Sequence, residues 1–233
     1  VDTSAGTLLG SREGEVNAFR GIPYAQPPIG ERRWTDPVPV AKWHGIREAN
    51  AFAPACPQPT PAAFGPYTSE FLISEPRSED CLYLNVWAPL KGARRPVFVY
   101  IHGGGFGSGS GSIPIYSGAA LAAQGIVVVT INYRLGIFGF LAHPSLSAES
   151  QLKTSGNYGL LDAIEALRWV NANIARFGGD PKNVTIGGQS AGATAVNELI
   201  LSPMAKGLFA RAIAHSGSIF DLPVPNHQEA EAF

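Results

Sequence analysis

Residues 184–192 read VTIGGQSAG, and this stretch decides how the whole chain is read. Val184, Thr185 and Ile186 are β-branched, as a buried strand prefers. Gly188-x-Ser190-x-Gly192 follows, and a helical pattern begins near Ser190 and runs to about Leu201. A serine between two glycines, at the junction of a strand and a helix, is the nucleophile-elbow pattern. The physics demands these residue types. A serine on a strained turn needs neighbours two positions away that carry almost no side chain. The helix that follows directs its first N–H groups and its positive dipole end toward the charge formed during attack. Alone, the five-residue pattern is weak, because Gly and Ser are common here. The strand before it and the helix after it give it weight over a purely structural strand-to-helix turn.

Working outward, residues 101–107 read IHGGGFG and follow the apolar run PVFVYI. Consecutive glycines let backbone N–H groups approach an oxyanion without Cβ interference. Paired with the elbow, this is an HGGG-type oxyanion loop. The alternatives are a flexible linker or a phosphate loop. A Walker A pattern is absent, and no G-x-G-x-x-G fits, because Ser108, Ser110 and Ser112 occupy the positions where the last Gly should fall. His102 reads as a residue that fixes the loop rather than as a base.

Other short apolar runs span residues 82–87, 97–101, 126–131, 184–186 and 212–214. The middle three are apolar on both parities, which predicts strands buried on both faces. Residues 158–177 carry Leu160, Ile164, Leu167, Ile174 and Phe177 at helical spacings, and Gly178 and Gly179 stop them. Residues 7–24 predict a strand hairpin with its turn at REGE. Residues 25–45 are Pro-rich and irregular, and residues 52–77 read as a surface loop. Strands alternating with helices predict an α/β fold, a mostly parallel central sheet flanked by helices, with an N-terminal β-hairpin. No internal repeat is present.

The chain has 233 residues, of which 45% are hydrophobic and 15% charged, and a formal net charge of -1. No basic stripe is present, so no nucleic-acid partner is expected. No eighteen-residue apolar run exists, so no membrane-spanning helix is expected. The opening VDTSAGTLLG has no signal-peptide pattern. Cys56 and Cys81 lie 25 residues apart in polar or Pro-rich surroundings. No Cys/His cluster completes a zinc site, so no metal is expected. Two free thiols and one disulfide both stay open, with the disulfide favoured, and a disulfide points to a secreted or periplasmic protein. Asn183-Val-Thr185 matches a glycosylation sequon, but it abuts the elbow strand. His44 and His143 read as surface or loop residues.

At this point the sequence resembles the type-B carboxylesterase family of the α/β-hydrolase fold. The likeness runs from FRGIPYAQPPIGERRW at residue 19 to RAIAHSGS ending at residue 218. It is carried by EDCLYLNVWAP at residues 79–89 and FGGDPKNVTIGGQSAG at residues 177–192. The resemblance implies that Ser190 is the nucleophile and that Gly104, Gly105 and Ala191 donate the oxyanion-hole N–H groups. It also implies a Cys56–Cys81 disulfide and structural ion pairs Arg33–Glu79 and Arg134–Asp162. Ser216 would support the catalytic carboxylate, and no cofactor would be required. Gln189 stands where many members carry an acidic residue. The loop between Cys56 and Cys81 has Phe64, Tyr67 and Phe71 but none of the Trp that holds choline in cholinesterases, so a cationic choline ester is not the expected substrate.

Family members continue far beyond the elbow and carry their acid and histidine there, whereas 43 residues follow Ser190 here. Asp221 and His227 are too close together to frame the intervening strand and helix units, and His215 stands where other members have Gln. The expectation is that residues 1–233 are the N-terminal portion of one α/β-hydrolase domain. The catalytic histidine and acid would then lie outside it, for example in a second polypeptide carrying the C-terminal half. The expected activity is that of a serine carboxylic-ester hydrolase on a small-molecule ester. The rival readings are an inactive adhesion or binding module of the same fold, and an amide or carbamate hydrolase. Phe106, Tyr116, Phe138 and Phe220 are candidates for an apolar gorge or, equally, for core.

Overall fold

The computed structural model describes residues 1–60, 62–63, 65, 68–218 and 226–232, with only the backbone of His227. The strands are β1 (Thr7–Leu9), β2 (Ser11–Glu13), β3 (Val16–Pro23), β4 (Ile46–Glu48), β5 (Tyr83–Pro89), β6 (Arg95–Ile101), β7 (Val127–Ile131), β8 (Gly179–Gln189) and β9 (Arg211–His215). The helices are α1 (Ala119–Ala123), α2 (Gly136–Phe140), α3 (Pro144–Glu149), α4 (Tyr158–Asn173), α5 (Ala191–Leu201) and α6 (His227–Ala230).

One sheet runs in the order β2-β3-β5-β7-β6-β8-β9. Its pairings are antiparallel from β2 to β7 and parallel from β7 through β6 and β8 to β9. The fold is the expected α/β type, and the parallel half carries the motifs. β7 flanks β6 on one side and β8 on the other, so the chain crosses over at β6. Loops that leave the carboxyl ends of strands on either side of such a crossover diverge and open a crevice.

The expected hairpin over 7–24 forms only from Ser11 onward, where β2 and β3 pair around Gly14. β1 departs and pairs in parallel with β4 in a separate two-stranded sheet. Gly10 marks the break. A Cβ there would lie 2.5 Å from both the Ala18 carbonyl oxygen and the Phe19 ring, so the chain passes too close to β3 for any other residue.

Val97, Val99 and Ile101 of β6, with Val129 of β7 and Val184 and Ile186 of β8, join Leu167, Val170, Val196 and Leu199 from α4 and α5 in the main core. Successive residues of a strand face opposite ways. Trp87 therefore turns to the other face, where it packs with Val16, Ala18 and Ala122 of α1. The expected burial on both faces holds for β7, all five of whose residues are buried. On β6 the second face bears Phe98 and Tyr100, which are only half-buried, and β9 is exposed along its length. Helix α1 packs over that second face next to β5 and β7, Phe52 lies against Trp87, and Tyr116 lies against Tyr100. The predicted helix over 158–177 is α4 followed by a tight 3-10 turn over Ile174–Phe177, ended by Gly178 in the left-handed region at φ 83°.

Two ion pairs tie the periphery to this frame. Arg134 is buried and forks onto Asp162 of α4, with Nη2 to Oδ1 at 2.7 Å and Nε to Oδ2 at 2.8 Å. Arg33 forks onto Glu79 at 2.5 and 2.7 Å. Cys56 and Cys81 form a disulfide, both buried. Among the described residues, no helix is long and apolar enough to cross a membrane, and no cluster of three His, Cys, Asp or Glu could hold a metal ion.

Candidate active site

β8 ends at Gln189 and α5 starts at Ala191, leaving Ser190 between them at φ 56° and ψ −127°. A side-chain-bearing residue adopts this backbone only when its surroundings hold it there. The Ser190 N–H donates to the His215 carbonyl at 2.9 Å, carrying the β8–β9 ladder into the turn. The Ser190 carbonyl accepts from the N–H groups of Ala193 at 2.8 Å and Thr194 at 3.0 Å, so it closes the first turn of α5. The glycines on either side are required by close approach. A Cβ on Gly192 would lie 2.8 Å from the His102 carbonyl oxygen and nearer still to that of Ile101. A Cβ on Gly188 would strike the Gly192 carbonyl. The small residues of α5 thus let the helix start directly against the end of β6.

The glycine loop leaves β6 beside this turn. The Tyr133 hydroxyl donates to the His102 carbonyl at 2.8 Å, and the two rings stack with centroids 4.5 Å apart. His102 Nδ1 lies 2.8 Å from the Gly103 carbonyl, so that nitrogen carries the proton and Nε2 is the bare acceptor. His102 is buried, and loss of solvation lowers its basicity to about 4, with the Gly103 contact working weakly in the opposite direction. It is a neutral residue that fixes the loop, as the sequence implied. Beyond it, the N–H groups of Gly107 and Ser108 and the Ser108 hydroxyl all donate to the Gly104 carbonyl, at 3.1, 3.0 and 3.1 Å. The N–H groups of Gly104, Gly105 and Ala191 have no acceptor among the described residues.

Ser190, Gly104 and Gly105 line one cavity of about 540 Å³. Ala191 does not line it, but it is the next residue after Ser190 and is buried. Phe71, Leu72, Ile73, Ile113 and Tyr116 supply the apolar wall, and among the described residues none of the lining side chains is charged. Residues 58–60, 62 and 71–73 of the segment read as a surface loop therefore wall the cavity. Gln189 also lines it.

The remaining candidates fall elsewhere. Of the proposed gorge aromatics among the described residues, Tyr116 alone lines the cavity, while Phe106 packs on Phe140 and Phe138 stacks on Trp34. Ser216 follows β9, the strand beside the elbow, and is exposed. His215 meets Ser190 through its backbone carbonyl, and its side chain is exposed. His143 caps α3 by accepting from the Ser145 N–H at 3.2 Å, and His44 is exposed. Asn183 accepts from Arg211 at 2.6 Å. Phe64, Tyr67, Phe220, Asp221 and the His227 side chain lie outside the described residues.

Two residues at the site escaped the sequence reading. Asn132 ties the chain after the glycine loop to the segment before Cys56. It accepts from the Gly111 N–H at 2.8 Å and the Ser110 hydroxyl at 3.0 Å, and it donates to the Pro54 carbonyl at 3.1 Å. Gln58 lines the cavity and grips Gly109. Neither carries a periodic or motif signal, because both act on partners distant in sequence.

The sequence model of the carboxylesterase family matches residues 1–232. The chain is 47% identical to fumonisin B1 esterase of Sphingopyxis macrogoltabida, over 99% of this chain and 42% of that protein. It is 48% identical to para-nitrobenzyl esterase of Bacillus subtilis (strain 168), over 94% of this chain and 43% of that protein. A solved PNB esterase structure superposes with a TM-score of 0.88 at 46% identity, covering 99% of this chain and 46% of the other. The chain thus spans less than half the length of the relatives it matches.

Proposed function

The chain belongs to the carboxylesterase family, and from that premise we propose that it carries the nucleophile and oxyanion hole of a serine carboxylic-ester hydrolase. The observation that carries this reading is one cavity holding Ser190 at its strained turn together with Gly104 and Gly105, whose N–H groups have no internal acceptor. Ser190 Oγ attacks the ester carbonyl. The carbonyl oxygen becomes an oxyanion and is held by the N–H groups of Gly104, Gly105 and Ala191, each such donor supplying about 3 kcal/mol of transition-state stabilisation. The alcohol leaves, and water then hydrolyses the acyl-enzyme.

A histidine must take the Ser190 proton and a carboxylate must orient that histidine. Among the described residues, no histidine side chain bonds to Ser190 Oγ: His102 is buried on Gly103, and His215 contributes only its carbonyl. We place both groups outside residues 1–233, in the same polypeptide or a second one, and we assign Ser216 the supporting role for the carboxylate. The lining, uncharged among the described residues, favours a neutral, largely apolar ester group. The disulfide favours an oxidising compartment, secreted or periplasmic. The intact serine and free donors favour hydrolysis over a binding module.

The test is denaturing intact-mass analysis of the complete enzyme before and after treatment with a fluorophosphonate. One adduct on Ser190, lost in Ser190→Ala together with p-nitrophenyl butyrate turnover, is expected. Full turnover by a folded Ser190→Ala variant would end this reading.

A further inference from the structure

We infer that Gln58 is a positioning residue for the oxyanion hole, acting through Gly109. The inference rests on the serine-hydrolase reading above and adds a residue to it.

Gln58 makes a two-point amide clamp on a single glycine. Its Nε2 donates to the Gly109 carbonyl at 2.8 Å, and its Oε1 accepts from the Gly109 N–H, also at 2.8 Å. The second Nε2 proton goes to the Cys56 carbonyl at 3.1 Å. The donor capacity of the amide is thus fully used, and the side chain has one orientation. Its backbone is held as well, because Arg77 Nη1 donates to the Gln58 carbonyl at 3.1 Å. Gln58 lies two residues from Cys56, whose disulfide to Cys81 anchors this segment to the start of β5.

Gly109 is the far stem of the glycine loop. It has φ 111°, and a Cβ on it would lie 2.7 Å from the Gly103 carbonyl oxygen and nearer still to His102 Nδ1. The Gly109 backbone is therefore pressed against His102 and Gly103, the two residues before the Gly104 and Gly105 donors. Between these stems the loop closes on itself through the Gly104 carbonyl, and its Phe106 carbonyl accepts from the Gly136 N–H at 2.7 Å. The near stem is fixed by the Tyr133 hydroxyl on the His102 carbonyl. The far stem is fixed by Gln58. An oxyanion donor displaced by about 1 Å can lose about a hundredfold in rate, so a clamp on the stem acts on kcat rather than on substrate binding.

The chemistry supplies a discriminating variant. Gln58→Glu keeps the shape of the side chain. Ionised, the carboxylate accepts from the Gly109 N–H but faces the Gly109 and Cys56 carbonyls with no proton to give. Protonated, it donates to one carbonyl and accepts from the N–H, so the clamp on Gly109 is rebuilt.

The experiment measures p-nitrophenyl butyrate hydrolysis by the complete enzyme, per site titrated with fluorophosphonate, for wild type, Gln58→Glu and Gln58→Met. Thermal midpoints are recorded alongside, and so is inhibition by a trifluoromethyl ketone, whose hemiketal oxyanion occupies the hole. At about pH 8 both variants are expected to lose about tenfold or more in kcat with KM within about twofold, and trifluoromethyl ketone affinity should fall in parallel. The Gln58→Glu to wild-type ratio of kcat should rise as pH falls toward 5, while the Gln58→Met ratio stays flat. Unchanged kcat in both variants, a change confined to KM, or equal pH ratios would overturn the inference. A wild-type enzyme that neither turns over ester nor labels at Ser190 would instead overturn the serine-hydrolase reading.

Discussion

Ile101 and Gly188 stand opposite each other at the carboxyl ends of β6 and β8 in the parallel register. The two chains consequently leave the sheet side by side, one into the glycine loop and the other into the serine turn. The carbonyl oxygens of Ile101 and His102 lie against Gly192, with no room between them for a methyl group. The proposed donors and the proposed nucleophile are set by the same strand pairing, which is why a local change on either side should reach both.

Gly192→Ala is expected to be severe. Its new Cβ would meet the carbonyls of Ile101 and His102, so either α5 moves away from β6 or the glycine loop shifts. We expect about 1–3 kcal/mol of lost stability from overpacking and a loss of about a hundredfold in kcat. Denaturant titration and kcat per titrated site would measure the two effects, and a wild-type kcat would contradict the account of the turn.

The Arg134–Asp162 pair should behave as a buried pair, not a surface one. Both side chains are nearly inaccessible, and Asp162 also accepts from the Arg134 N–H at 3.0 Å. Removing one partner leaves an unpaired buried charge. Arg134→Ala is expected to cost about 3–5 kcal/mol, whereas Arg12→Ala, whose pair with Glu15 is exposed, should cost about 0–1 kcal/mol. Equal unfolding midpoints for the two variants would refute the distinction.

Removing the disulfide with Cys56→Ala and Cys81→Ala opens a loop spanning 25 residues. The chain-entropy argument gives about 3 kcal/mol. Because this loop forms the wall beside Ser190, proteolysis between the two positions should also accelerate. Unchanged unfolding and unchanged cleavage would show that the loop is held by its other contacts alone.

His102 predicts a specific acid sensitivity. Its folded-state pKa is about 4 against an ordinary 6.5, chiefly from burial. A depressed histidine takes up its proton in the unfolded chain first. Its stabilising effect is therefore complete above about pH 6.5 and is lost as pH falls toward 4, for a total of about 3 kcal/mol. Unfolding free energies of wild type and His102→Gln, compared at about pH 7.5 and 4.5, should converge toward acid pH. A constant difference would contradict a neutral, buried His102.

Much of the site was legible because its signals are local. Ser190 between Gly188 and Gly192 needs only its own strand and helix to be recognised, and the run of glycines after His102 is a short-range pattern. The same holds for α4, whose end at Gly178 follows from a left-handed residue placed after an apolar periodic run. The hairpin was misjudged at β1, where Gly10 reads as part of a strand but breaks it, because the Phe19 ring occupies the space beside it.

The sequence by itself determined the class of fold and pointed to the proposed chemistry: a serine on a tight turn, small residues where backbones must touch, and apolar strands alternating with helices. Only the tertiary structure decided that residues 58–60, 62 and 71–73 wall the cavity, that Gln58 grips Gly109 across 51 residues, that β1 joins β4, and that β9 is exposed. The physical reason is range. A motif encodes the φ/ψ and close-approach demands of adjacent residues, whereas a clamp or a cavity wall depends on which surfaces the packed core brings together, and no local pattern records that.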